Sequence, residues 1–131
     1  MKMYMLEKDK LKNMFMASDY KICITTDMWT SIQNLNYMCI TAHFIDDDWI
    51  LHKRIIDFKK VPDHKGITIG KEIESSVLGW GIKKIFTITV DNASSNTTAI
   101  DYLRKIAKLR DCMVLENELM HIRCAHILNF I

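Results

Sequence analysis

The chain has 131 residues, 49% of them hydrophobic, and its 18 basic and 16 acidic residues leave a net charge of +2. That length suits one domain burying roughly two-thirds of its extended-chain surface, and so small a charge excludes a protein that holds nucleic acid by overall basicity; any such contact must be local. No apolar run approaches the ~20 residues that span a bilayer, and Met1-Lys2-Met3-Tyr4 does not open a secretion signal, so Cys23, Cys39, Cys112 and Cys124, which have no paired spacing, read as reduced intracellular thiols.

Residues 4 to 16 set Tyr4, Leu11, Met14 and Phe15 on one helical face, which predicts a leading helix within 1–17. Lys21 to Asp27 and Tyr37 to Ile45 are β-branched runs of strand length. Asp46-Asp47-Asp48 then makes a polar turn into a third strand, Trp49 to Phe58, so that residues 37 to 58 form an antiparallel hairpin. The acidic triplet reads as a solvated turn rather than a metal site, because adjacent carboxylates point in different directions.

From Ile67 the period lengthens, with Ile69, Ile73, Val77 and Trp80 at helical spacing and Gly79 and Gly81 as a stop. Lys84 to Asp91 is mostly apolar and fits a buried central strand. Asn92 to Ser95 supplies helix caps, and Ala99, Ile100, Leu103, Ile106 and Ala107 line one face of the helix that follows. A fifth strand is expected over Leu119 to Cys124. Helical crossovers make the later strands parallel neighbours. The fold class is therefore α/β, a mixed sheet with a three-stranded antiparallel part, parallel strands and flanking helices. One proline and 4 glycines leave no linker, giving a single unit over 1–131 with its core in 21–131. The apolar pattern from Cys124 runs to Ile131 without a cap, so the unit is expected to be incomplete at its C-terminus.

Two of these strands end on an aspartate, Asp27 and Asp91. If the strands lie parallel and adjacent, the two carboxylates meet at one end of the sheet. At ~5 Å they would repel by roughly 3 kcal/mol at an effective dielectric near 20, a cost that a divalent cation removes, and carboxylates are natural ligands for Mg²⁺ or Mn²⁺. Such a pair is half of a centre that activates a water or a 3′-hydroxyl against a phosphate. Spacing alone also allows a plainer reading, in which both are turn and cap residues.

Four blocks carry a resemblance that spans nearly the whole chain from about Lys10: Thr25-Thr26-Asp27-Met28-Trp29-Thr30-Ser31, Asn36 to Asp46, Phe86 to Asn96 (Phe-Thr-Ile-Thr-Val-Asp-Asn-Ala-Ser-Ser-Asn), and His121 to Asn129. In this order they resemble the catalytic core of hAT-superfamily transposases, and within them the plant BED-finger group of the RICESLEEPER and DAYSLEEPER type, related to Activator. The resemblance implies an RNase H-like fold, with Asp27 and Asp91 as the first two catalytic and metal-holding acids, Mg²⁺ or Mn²⁺ as cofactor, DNA as partner and the nucleus as location. The family's third acid is a glutamate on a helix far downstream; Glu116 and Glu118 lie too early to be it. A chain without that residue, and without the family's BED finger and dimerisation region, is expected to be inactive alone. The alternative is a non-catalytic, domesticated DNA-binding or protein-interaction module.

Three further residues stand near the expected site. Trp29 has two uses, stacking on a base or packing beneath the site, and the second is the commoner fate of such a tryptophan. The family motif Cys-x-x-His is shortened here to Cys124-Ala125-His126, which turns the histidine to another face. With His121 they read as a strand end entering a helix rather than as a structural zinc site, which takes four ligands in two spaced pairs.

Overall fold

In a computed structural model, the protein is described over residues 1–90, 94–110 and 120–123. Helix α1 (Lys2–Ala17) leads into strands β1 (Ile22–Thr30), β2 (Asn36–Ile45) and β3 (Leu51–Val61), followed by helix α2 (Gly66–Gly79), β4 (Ile85–Val90), α3 (Ser95–Arg110) and β5 (Met120–Arg123). The strands form one sheet in the order β3-β2-β1-β4-β5. β1, β2 and β3 are antiparallel neighbours, whereas β4 lies parallel to β1 and β5 parallel to β4. The expected mixed sheet and its helical crossovers are thus present.

Alternation along the strands explains where the core sits. Ile22 and Ile24 of β1, Met38, Ile40, Ala42 and Phe44 of β2, and Ile88 and Val90 of β4 are all buried. They form one cluster with Phe15 of α1, Ile69, Ile73 and Val77 of α2, and Ala99, Ile100 and Leu103 of α3. All three helices therefore meet the same face of the sheet. Each fully buried isoleucine there contributes about 1.5–3 kcal/mol relative to an exposed one. α2 was readable because its apolar residues keep helical spacing, and it ends where expected: Gly81 adopts φ +68°, a conformation that glycine enters without steric cost.

Close approach joins α2 to α3. A methyl group at Gly66 would collide with the Ser95 carbonyl oxygen and with Thr98 Cβ, and one at Gly70 would lie 2.7 Å from Tyr102 Cδ1. The two glycines let the first two turns of α3, which begins four residues after Asp91 in sequence, pack on α2.

A polar network fixes α2 to β3. Ser76 Oγ donates to Asp57 Oδ2 at 2.5 Å, and Lys59 Nζ lies 3.0 Å from Asp57 Oδ2 and 2.6 Å from Glu72 Oε2. Burial pushes the Asp57 carboxyl up, but its bonds from Ser76 and Lys59 outweigh this and hold it below the usual carboxylate range. Burial likewise opposes the charge on Lys59, and the two carboxylates more than restore it.

Three expectations are corrected. β1 does not end at Asp27 but runs on to Thr30, because β2 continues the ladder through Asp27↔Cys39, Met28↔Met38, Trp29↔Tyr37 and Thr30↔Asn36. β3 starts at Leu51 rather than Trp49, since Trp49 has φ 62° and donates its N–H to Asp46 O within the turn, and it extends past Phe58 to Val61. In α1 only Phe15 is buried; Leu11 and Met14 pack partly against the core, and Tyr4 is exposed. The acidic triplet is the turn expected of it: the Asp46 carboxylate accepts the N–H groups of Asp48 and Ile50 and pairs with His52 Nε2 at 2.6 Å. The hydrogen bond from His52 is the main cause that holds Asp46 below its ordinary value.

Candidate functional site

Residues two apart on a strand share a face, so Cys23, Thr25, Asp27 and Trp29 of β1 point away from the helix-packed core. Their cross-strand partners are His43, Thr41, Cys39 and Tyr37, and next on β3 come Lys53, Ile55, Phe58 and Lys60. The same face of β4 carries Thr87 and Thr89, opposite Cys23 and Thr25. This face is hydroxyl-rich and half-buried near its middle, and exposed at Asp27 and beyond.

The neighbourhood of Asp27 is fixed from three sides. Upstream, Thr25 Oγ1 and His43 Nε2 are 3.1 Å apart, and burial, aided by the nearby Lys53, lowers the His43 pKa and favours the neutral ring. Downstream, Thr30 Oγ1 donates to Asn36 Oδ1 at 3.0 Å and lies 3.3 Å from His64 Nε2, while Asn36 Nδ2 donates to Pro62 O at 3.4 Å. These bonds hold the part of β1 that follows its last described pair with β4. Across the ladder, Cys39 stands opposite Asp27. Its soft sulfur is a poor ligand for the hard cations that a carboxylate suits.

Register bears on the second aspartate. The last described pair between β1 and β4 is Thr25↔Thr89, and Asp27 and Asp91 each stand two positions further along the sequence. Asp91 itself lies outside the described residues, as do Cys124 and His126. Among the described residues no three His, Cys, Asp or Glu side chains stand close enough to hold a metal ion. Of the two acids expected to hold metal only Asp27 is described, and its oxygen donors fit Mg²⁺ or Mn²⁺.

Trp29 departs from the expected core packing. It is 38% exposed, and its ring lies 6.0 Å from that of Tyr37 and 5.5 Å from that of Phe58, with Tyr37 and Phe58 also 6.0 Å apart. The Trp29–Tyr37 and Tyr37–Phe58 planes are inclined by only 23° and 29°. Tyr37, Phe58 and the neighbouring Lys60 were missed from sequence. Trp29 was not beyond reach, since its two-residue spacing from Asp27 already sets both on one face.

Among the described residues no helix is long and apolar enough to cross a membrane. Comparison with known proteins places residues 25–119 within the model of the ZBED1 RNase-like domain. The chain is 39% identical over its full length to the putative AC transposase of Zea mays, and covers 17% of that protein. It is 35% identical to RICESLEEPER 2 of Oryza sativa subsp. japonica over 96% of this chain and 18% of the relative. It is 27% identical to DAYSLEEPER of Arabidopsis thaliana over 92% of this chain and 18% of the relative. Both are zinc finger BED domain-containing proteins. The chain thus spans less than a fifth of each of these relatives.

Proposed function

The chain belongs to the family of the ZBED1 RNase-like domain, found in hAT transposases and their BED-finger relatives, and from that premise we propose that it carries the first two acids of a metal-dependent DNA-cutting and strand-transfer centre. The reading rests on one observation, the parallel Thr25↔Thr89 register from which Asp27 and Asp91 are equally spaced. In it, the two carboxylates would hold Mg²⁺ or Mn²⁺.

A bound metal would supply the charge that activates the attacking water or hydroxyl and offsets the phosphate. The protein's own part is positional. The Thr30, Asn36 and His64 contacts restrain the strand end beside Asp27, and the glycine contacts of α2 restrain the helix that follows Asp91. In this reading a third acid, supplied from further along a longer protein, completes the centre. DNA is the partner and the nucleus the place of action.

Titration of the chain with Mn²⁺ in a calorimeter tests the reading. Asp27→Asn and Asp91→Asn should each abolish most of the binding heat while leaving the thermal melt cooperative. Wild-type affinity in both variants would overturn it. A second reading is favoured by the BED-finger names among the relatives: a domesticated, non-catalytic DNA-binding or interaction module. It expects DNA binding that neither substitution changes.

A further inference from the structure

The ring cluster of Trp29, Tyr37 and Phe58 is not explained by the core. Phe58 is 60% and Trp29 38% exposed, and neither joins the apolar cluster under the helices. Cross-strand pairing brings the three together from β1, β2 and β3 on the face that carries Asp27. Large exposed aromatic groups set side by side mark a contact surface more often than solitary apolar residues do.

The charge around the rings selects the kind of partner. Lys60 is exposed, stands opposite Tyr37 and lies next to the rings on the same face; Lys53, also exposed, stands further along that face. Aromatic rings beside lysines are the pattern by which proteins take up single strands, stacking bases while the cations meet the backbone. Duplex bases are stacked on one another and offer no free face, so the rings suit a strand that is unpaired or has been opened. Trp29 is two residues from Asp27, about 7 Å along the strand. A base on the rings thus adjoins a phosphate at Asp27.

We infer that Trp29, Tyr37 and Phe58, flanked by Lys60, form a platform that stacks unpaired bases of a DNA strand beside Asp27. This deepens the DNA-acting reading and rests on it. The platform takes bases by their faces, so it carries little sequence preference, and it gives the weakly charged chain a mode of contact that does not rely on net charge.

The test is fluorescence anisotropy of a labelled oligothymidylate and of a duplex of equal length, titrated with the full chain in EDTA so that no metal site contributes. The single strand should bind more tightly than the duplex. Phe58→Ala and Tyr37→Ala should each weaken single-strand binding about five- to a hundred-fold, the loss expected for one stacked base, and Phe58→Tyr should retain it. Trp49→Ala, at an 86% exposed residue in the turn at the opposite end of the strands, should leave it unchanged. Phe58→Ala is expected to fold, since the side chain is mostly in water, and a thermal melt checks this.

Wild-type DNA binding that survives both alanine substitutions overturns the platform and leaves the DNA-acting reading standing. No binding to either DNA overturns both. A wild-type dimer in sedimentation that Phe58→Ala dissociates, with DNA binding unaltered, assigns the rings to a contact between copies and also overturns the platform.

Discussion

The two faces of the sheet are drawn from alternate residues of the same strands, yet they serve opposite ends. One face packs Ile24, Met38, Ile40, Ile88 and Val90, each at most 1% exposed, against three helices. The other carries threonines, a cysteine opposite Asp27, half-exposed rings and lysines. The dry face supplies most of the apolar burial and so bears most of the stability. The other face is thereby released to hold groups that a core would exclude, an exposed carboxylate among them.

Substitutions on either side can break or sharpen this contrast. The largest effect belongs to the dry face: Ile88→Ala, at the centre of the sheet and 0% exposed, should cost about 2–5 kcal/mol by denaturant titration, because the cavity between β4 and the helices cannot collapse fully. A loss below 1 kcal/mol would mean that the helices are loosely seated.

Next comes the polar seam of that face. Ser76→Ala leaves Asp57 and Lys59 half-buried without their hydroxyl and should cost about 1–3 kcal/mol. The Asp57 pKa is depressed in the folded protein, so its contribution is present above the unfolded carboxylate value and is lost as pH falls through the lower folded value. Ser76→Ala should therefore flatten the loss of stability in acid, measured by melts across that range. The smallest effect belongs to the other face, where Phe58→Ala should change stability by no more than about 0.5 kcal/mol. A larger loss would show that the rings serve packing after all.

Strand parity decides how much of this was legible in the sequence. The β-branched runs of β1, β2 and β4 and the helical spacing of Ile69, Ile73 and Val77 reflect forces local to each segment, and these elements fall where expected. The run from Asp27 to Thr30 does not announce its extension, because its ladder depends on β2 and not on its own residues. The ring cluster was hidden for the same reason: Trp29, Tyr37 and Phe58 meet only once the register of three strands is known. That register includes an irregularity between Ile40 and Thr41, whose partners are Asp57 and Ile55. The family is shown by similarity over 25–119, whereas the metal role of Asp27 and Asp91 remains the proposal that calorimetry is to decide.

That irregularity has a consequence for how the protein tolerates changes in length. Ile56 is the supernumerary residue of β3; its side chain is buried, and its carbonyl accepts the Trp80 indole N–H at 2.8 Å. It shifts the phase of everything after it, so that Asp57 and Lys59 turn inward while Phe58 and Lys60 turn outward. Removing Ile56 would place Ile55↔Thr41 directly before Asp57↔Ile40, a regular ladder in which Phe58 and Lys60 still turn outward, and only the buried Ile56 side chain and its bond to Trp80 would be lost. A gap at Ile56 in a related sequence would thus leave the outer face of this strand in phase, whereas the same eleven positions paired without the bulge would turn Phe58 under the helices and the ion-pair network into water.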